Sequence, residues 1–373
     1  MGQGIPDRIR LSALEVTRRA FLAGGILAVA AGCSSVDVSR GVATGGPAAA
    51  ASPAPAYRLK TRDRGTILAH GGGPGGCDVY GCREAIVFTD GTRYYLHYDG
   101  AGPHGWLACL AVSEDGLSWK RMGPVLSLGA AGRPDSASAS SPWVIEHNRR
   151  WYMYYLGTPH AGPAPGRLPE PPYNTCLAVA DMPTGPWRKR YDVIPFTEVP
   201  GTYHATTASP GAVIEHDGRF LQFFSGSTVT AHGLRRTLGI AQTENLASPW
   251  TVNPTPLLPL DTDIENSSVY YEPADGGWWW LFTNHISERA PAHTDAAYAY
   301  WSRDPTHWDS AHCAIALDTT ICTWSKGVIG MPTVLPIGGR LAMFYDGVTG
   351  ASQSNLGRDI GMATLPIPLL PPT

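Results

Sequence analysis

Apolar residues along this chain come in short runs separated by polar pairs, and one order recurs five times: an apolar strand, a tight polar turn, then a strand rich in aromatics. Ala85-Ile86-Val87-Phe88 leads into Tyr94-Tyr95-Leu96-His97-Tyr98, and Pro142-Trp143-Val144-Ile145 into Trp151-Tyr152-Met153-Tyr154-Tyr155. Gly211-Ala212-Val213-Ile214 leads into Phe220-Leu221-Gln222-Phe223-Phe224, and Ser267-Ser268-Val269-Tyr270 into Trp278-Trp279-Trp280-Leu281-Phe282. The last copy is Pro332-Thr333-Val334-Leu335 before Leu341-Ala342-Met343-Phe344-Tyr345. The turns hold Asp90-Gly91, Asp217-Gly218, Asp275-Gly276 and Gly338-Gly339, whose backbones accept the positive φ of short hairpins.

A third strand follows in each unit, at Leu110-Ser113, Leu177-Ala180, Gly239-Gln242, Tyr298-Trp301 and Ile360-Ala363. In four units a tryptophan (Trp119, Trp187, Trp250, Trp308) comes next and marks an outer fourth strand. The anchor valines Val87, Val144, Val213, Val269 and Val334 are 57, 69, 56 and 65 residues apart. Four strands per unit, five times over, predict an all-β chain folded as a five-bladed β-propeller, one domain over residues 57–373. A large β-sandwich is the alternative, but it does not call for the same strand order in every unit.

Composition adds to this picture at the ends and in the loops. The chain has 373 residues with 43 Gly, 33 Pro, 12 Trp and 16 Tyr, and 16% charged side chains. That much apolar and aromatic content offsets the entropy of folding, so disorder is excluded, and a formal charge of -3 gives no reason to expect a nucleic-acid partner. Residues 1–33 read as an export signal: Thr17-Arg18-Arg19-Ala20-Phe21-Leu22 matches the twin-arginine pattern, an apolar stretch too short to span a bilayer follows, and Ala30-Ala31-Gly32-Cys33 resembles a lipobox. Cys33 is the expected lipidation site, and the Ala/Gly/Pro/Ser-rich residues 34–56 are the expected tether of an exported, periplasmic or cell-surface lipoprotein. Of the remaining cysteines, Cys77 with Cys82 and Cys313 with Cys322 are close enough in sequence to close local disulfides in an oxidising envelope, whereas Cys109 and Cys176, each in Cys-Leu-Ala-Val, read as buried thiols. No CxxC or HExxH spacing points to zinc.

In a propeller the innermost strand of every blade starts beside the central channel, so polar residues there converge on one pocket. Asp78, Asp135 and His204 stand nine positions before their anchors. Arg83 and Glu84 stand just before the first anchor, Glu265 and Asn266 before the fourth, and Lys326 before the fifth. Each has an ordinary structural reading as a turn, cap or packed residue. Together, carboxylates around one axis repel, which is how one acquires a raised pKa while another stays ionised.

Several phrases resemble the five-bladed propeller glycoside hydrolases, the superfamily that includes families 43, 62, 32, 68, 117 and 130. They are Val112-Ser113-Glu114-Asp115-Gly116-Leu117-Ser118-Trp119, similar to the family's S-x-D-G-x-x-W; Trp151-Tyr152-Met153-Tyr154-Tyr155-Leu156-Gly157; and Ile264-Glu265-Asn266-Ser267-Ser268-Val269 before Trp280-Leu281-Phe282. The resemblance implies that Glu265 is the general acid. It implies a base or nucleophile at the start of the first blade, where this chain reads Arg83-Glu84-Ala85 in place of the usual aspartate and Asp78 competes with Glu84. It implies a third acid matching Asp135, or His204 in its stead.

The implied reaction is glycosidic bond hydrolysis, with Glu265 protonating the leaving oxygen and Asp78, else Glu84, acting on the opposite face. Arg83, His204, Asn284 and His285 are candidate substrate contacts, and Tyr80, Trp106 or Trp143 candidate stacking faces. No cofactor is required for this chemistry. A central calcium is compatible with the fold, but no DxDxDG cluster marks one. The expected partners are a carbohydrate and, through Cys33, a membrane, with a monomeric chain. Arabinofuranosides are favoured by family analogy. A glycoside phosphorylase using Arg83, Arg133 and Lys326 around phosphate, and a non-catalytic sugar-binding propeller, are the alternatives.

Overall fold

The computed structural model describes residues 55–287 and 293–372. The expected signal, the lipidation site Cys33 and nearly all of the tether lie outside the described residues. Within them the chain is all-β, with three single 3-10 turns as its only helical elements.

The recurring hairpins form where the apolar pattern places them, each continued by a third strand. The first unit pairs Gly81–Thr89, Tyr94–Gly102, Gly105–Ser113 and Lys120–Pro124 antiparallel in that order. The second pairs Ser138–His147, Arg150–Thr158, Asn174–Ala180 and Arg188–Lys189. These two units join into one eight-stranded sheet through a short parallel contact of Trp106 with Ser138 and Leu107 with Ala139. In the third, Thr207–Ser209 and Val213–His216 share one partner, Arg219–Thr230, followed by Gly233–Thr243 and Thr251–Val252. The fourth runs Ile264–Glu272, Trp278–Ile286, Thr294–Ser302 and Cys313–Asp318, with Tyr57–Arg58 added in parallel.

The fifth unit has Thr333–Ile337, Arg340–Gly347 and Asp359–Pro366, and its outer strand is Arg62–Leu68 from the other end of the chain. That explains why the fifth sequence repeat ends without a tryptophan-marked strand of its own. In three other units the tryptophan stands one residue before the outer strand; Trp308 lies in the preceding turn, its indole N–H donating to the Pro305 carbonyl at 2.7 Å. The second hairpin turns on Asn148 and Arg149, both at positive φ, and the third on Asp217 and Gly218, the type I′ signature that matches strand twist.

Packing follows from alternation within the strands, which gives each sheet two apolar faces, and each apolar cluster bridges consecutive units. Ala108, Met153 and Tyr155 join the first to the second, and Tyr154, Leu177 and Phe224 the second to the third. Leu221, Phe223 and Leu281 join the third to the fourth. Trp280, Phe282, Met343 and Tyr345 join the fourth to the fifth, and Leu96, Tyr98, Phe344 and Met362 the fifth back to the first. A further cluster takes one residue from the innermost segment of every unit: Ile86, Trp143, Ala212, Val269 and Met331. Buried aliphatic and aromatic side chains of this kind contribute about 1.5–3 kcal/mol each, so side-chain packing holds the units face to face, alongside the few backbone bonds between them.

Candidate active site

Three innermost strands break register at the same level. The ladder skips between Arg83 and Ile86, between Ser140 and Trp143, and between Glu265 and Ser268. Each bulge holds a non-glycine residue at positive φ: Glu84 at 53°, Ser141 at 47° and Asn266 at 61°. Bulges re-aim side chains, and left-handed backbone at such residues is tolerated only where neighbours enforce it. The enforcement is visible: the Glu84 N–H donates to Asp346 Oδ2 at 3.1 Å, the Ser141 N–H to Asp99 Oδ1, and the Asn266 N–H to Ser225 Oγ at 2.8 Å. Asp346, Asp99 and Ser225 each belong to the second strand of the preceding unit.

The bulges deliver Glu84 and Glu265 to two adjoining cavities that both residues line. The larger, about 370 Å³, has walls from the second and third units, with Leu156, Pro169, Pro171, Pro210 and Leu234 as its apolar side and Tyr173 and Arg236 as polar groups. The smaller, about 50 Å³, is lined on the other side by Asn284, His293, Asp346, Asn355 and Arg358.

Glu84 accepts a short hydrogen bond from the Ser141 hydroxyl. Arg83 beside it spreads over the Trp106 ring, 4.1 Å from its centroid, and lies 3.7 Å from both Glu84 and the fully buried Asp99. Glu265 sits 3.0 Å from the Arg236 guanidinium. Burial raises its pKa above the ordinary glutamate value; Arg236 opposes that and the Glu84 charge adds to it, with a net upward shift. Its side chain keeps 31% exposure because it opens onto the cavity, so it is desolvated yet reachable. Asp99 is pushed well above the carboxylate range by burial and by Glu84, against the pull of Arg83.

The other sequence candidates lie elsewhere. Asp78 is fully buried, accepts N–H bonds from Gly73 at 2.7 Å and Gly71 at 3.2 Å, takes the Tyr98 hydroxyl at 3.2 Å and pairs with Arg121 at 3.3 Å. Asp135 repeats that arrangement one unit on, accepting from the Tyr155 hydroxyl at 2.8 Å, from Tyr191 and from the Lys189 ammonium. Asp63 does the same with Tyr345 at 2.6 Å. His204 packs between Tyr203 and Phe224, and burial lowers its pKa. None of these lines either cavity.

Asn284 does line the small cavity, where it donates to the Ile329 carbonyl and accepts from Asn266. His285 instead bonds Asp295 at 2.9 Å and stacks on Tyr298. Trp106 and Trp143 are buried in packing contacts and Tyr80 lines neither cavity, so no expected stacking face is presented there. Lys326 is turned to the Thr319 and Cys322 carbonyls, and Arg133 lies over Tyr191.

The local disulfides are a correction. Cys77, Cys82, Cys313 and Cys322 are all free thiols, because proximity in sequence does not aim their sulfurs at each other. Cys82 points to the Leu68 and Arg358 carbonyls, and Cys322 contacts the Tyr345 hydroxyl at 3.3 Å. Sequence reading missed Asp99, Asp346, Ser141 and Arg236. A signal for two of them was present in Tyr98-Asp99-Gly100 and Tyr345-Asp346-Gly347, the same tripeptide at the end of two second strands. Among the described residues no group of three or more His, Cys, Asp or Glu is arranged to hold a metal.

Solved structures share this fold. A glycoside hydrolase aligns with a TM-score of 0.62 at 16% identity over 85% of this protein and 96% of the other. A family 117 glycoside hydrolase from Zobellia galactanivorans aligns at 0.57 and 17% identity over 82% and 90%. The catalytic domain of a Coprinopsis cinerea GH62 alpha-L-arabinofuranosidase aligns at 0.58 and 14% identity over 83% and 97%. The fold is that of the β-propeller glycoside hydrolases. A curated relative, the sucrose-6-phosphate hydrolase of Bacillus subtilis (strain 168), is 37% identical over 83 residues, which span 20% of this chain and 16% of that protein. No family model matches the chain.

Proposed function

We propose that this protein is a glycoside hydrolase built as five four-stranded blades, with its first blade-like strand, Arg62–Leu68, completing the fifth blade and so closing the ring. The packing of each unit on the next, including the fifth on the first, supports the blade count.

The observation that carries the catalytic reading is that Glu84 and Glu265, from different sheets, line the same two cavities while their environments differ. Glu265, with its raised pKa, is the general acid that protonates the leaving oxygen. Glu84, held by the Ser141 hydroxyl and lying by Arg83, is the carboxylate that activates water or attacks the anomeric carbon. Asp78 and Asp135 are assigned to the scaffold, each engaged with a tyrosine and a cation.

The substrate class is an oligo- or polysaccharide carrying arabinofuranose. The GH62 alpha-L-arabinofuranosidase and an exo-1,5-alpha-L-arabinanase among the structural neighbours favour it. A cavity of about 370 Å³ is at the small end of ligand pockets, which suits a terminal sugar unit. The sugar meets a wall of prolines and leucines, with Tyr173 as the aromatic ring of the lining. The phosphorylase reading is disfavoured because Arg83, Arg236 and Arg358 at the cavities already face carboxylates. The signal-like residues 1–33 with Cys33 place the enzyme, on this proposal, at the cell envelope as a lipoprotein.

Glu265→Gln tests the assignment. Hydrolysis of an aryl α-L-arabinofuranoside is expected to fall by about 10²–10⁴-fold, the range for loss of acid–base catalysis, and a loss under about tenfold overturns it.

A further inference from the structure

Three cysteines gather where the loop leading into the first unit meets its strands. Cys77 follows the 3-10 turn Pro74–Gly76, Cys82 lies in Gly81–Thr89 and Cys109 in Gly105–Ser113. Cys82 is committed elsewhere, its thiol aimed at the Leu68 and Arg358 carbonyls at 3.4 and 3.6 Å. Cys77 and Cys109, 32 positions apart in sequence, meet across Gly100 in one apolar cluster.

Two glycines permit that approach. A Cβ on Gly100 would stand 2.6 Å from Cys109 Sγ and 2.6 Å from the Cys77 carbonyl oxygen, so the loop seats on the strand pair only because no side chain intervenes. A Cβ on Gly73 would stand 2.5 Å from Cys77 Sγ. Both cysteines lie in the apolar cluster with Leu96, Tyr98 and Phe344, Cys77 retaining 7% exposure and Cys109 none. Glycosidic bond hydrolysis uses neither.

We propose that Cys77 and Cys109 are a disulfide-forming pair, reduced in this structure and oxidised by a disulfide-bearing reagent such as oxidised glutathione, tying residues 71–80 to the strand Gly105–Ser113. The Cys77 thiolate attacks one glutathione sulfur; its S–S bond breaks, releasing one glutathione thiolate and leaving a mixed disulfide on Cys77. The Cys109 thiolate then attacks the Cys77 sulfur and expels the second glutathione. The two cysteines lose two electrons, the glutathione disulfide gains them, and the two cysteine protons end on two glutathione thiols. Cys77 attacks first because it is the one with residual exposure, and contact with Cys109 draws its pKa below the ordinary thiol value against burial and the Asp78 charge. The bond fixes the loop that precedes the strand carrying Arg83 and Glu84, and a closed loop of this length restricts the unfolded chain more than a five-residue one.

The test is oxidation of the folded, purified protein with oxidised glutathione, followed by alkylation, non-reducing digestion and mass mapping. The expected product is a peptide pair joined through Cys77 and Cys109, two hydrogens lighter, with Cys82, Cys176, Cys313 and Cys322 recovered as thiols. In Cys109→Ala the expected product is a persistent glutathione adduct on Cys77. A Cys77–Cys82 link, an adduct on wild-type Cys77 that never resolves, or recovery of Cys77 and Cys109 as thiols overturns the proposal. Should Cys109→Ala not fold, the wild-type map decides alone.

Discussion

Two sets of carboxylates are held differently in this molecule, one by tyrosines of the scaffold and one at the cavities. Asp78, Asp135 and Asp63 each accept from the tyrosine of a second strand: Tyr98, Tyr155 and Tyr345. Glu84 and Glu265 form the other set, each at a bulge and each facing a cavity. The first set repeats because the units repeat; a carboxylate held by a tyrosine hydroxyl, with Arg121 added at Asp78, Lys189 at Asp135 and the Thr323 N–H at Asp63, is a joint of the scaffold. The second set does not repeat, since the equivalent bulge of the second unit carries Ser141. In a repeat protein the recurring polar residue marks architecture, and the one that departs from the repeat marks chemistry.

Glu84→Gln breaks the comparison most severely. Its kcat/KM is expected to fall by about 10²–10⁴-fold with the Tm near that of wild type, read by steady-state kinetics beside a thermal melt. Asp346→Ala sharpens it: losing the acceptor of the Glu84 N–H lets the bulge relax and leaves Arg358 without its 2.8 Å partner. A misplacement of about 1 Å at a reacting group can cost on the order of 10²-fold, so kcat is expected to drop by tens-fold, with the acid and base limbs of the pH profile retained.

Asp78→Ala is the converse. Removing one member of a buried ion pair costs about 3–5 kcal/mol, visible in a denaturant titration, while kcat/KM of the folded fraction is expected to stay within about threefold of wild type.

His97 gives the smallest and most gradual effect. It is fully buried, and desolvation drives its pKa from 6.5 to about 3. The folded protein therefore holds it neutral while the unfolded chain takes up a proton as pH falls through about 6.5, so stability is lost progressively towards pH 3, by about 1 kcal/mol per pH unit. His97→Phe is expected to flatten that slope between about pH 6.5 and 4.5, read as unfolding free energy against pH; an unchanged slope assigns the acid lability to other groups.

Much of the fold was legible because strand alternation, aromatic second strands and Asp-Gly turns are local signals, and Val87, Val144, Val213, Val269 and Val334 kept them in register. The last outer strand was not, because Arg62–Leu68 reads as polar alternation interrupted by Gly65 and acquires its meaning only by pairing with Asp359–Pro366. At the site, Glu265 and Arg83-Glu84 were legible as acids where a strand needs none. Asp78 and Asp135 looked equivalent because counting back from an anchor measures position along a blade, not direction. A bulge turns Glu84 to the cavity, whereas Asp78 turns to Tyr98 and Arg121. The partners Asp99, Asp346 and Arg236 were hidden for the same reason: each acts across a unit boundary or a strand pair.

The measurement that tests the account most directly is the ratio of kcat/KM between Asp78→Asn and Glu84→Gln on one aryl α-L-arabinofuranoside, with both variants shown to be folded by circular dichroism. The account predicts a ratio of at least about 10², Asp78→Asn remaining near wild type. A ratio near one, or a Glu84→Gln enzyme more active than Asp78→Asn, contradicts it.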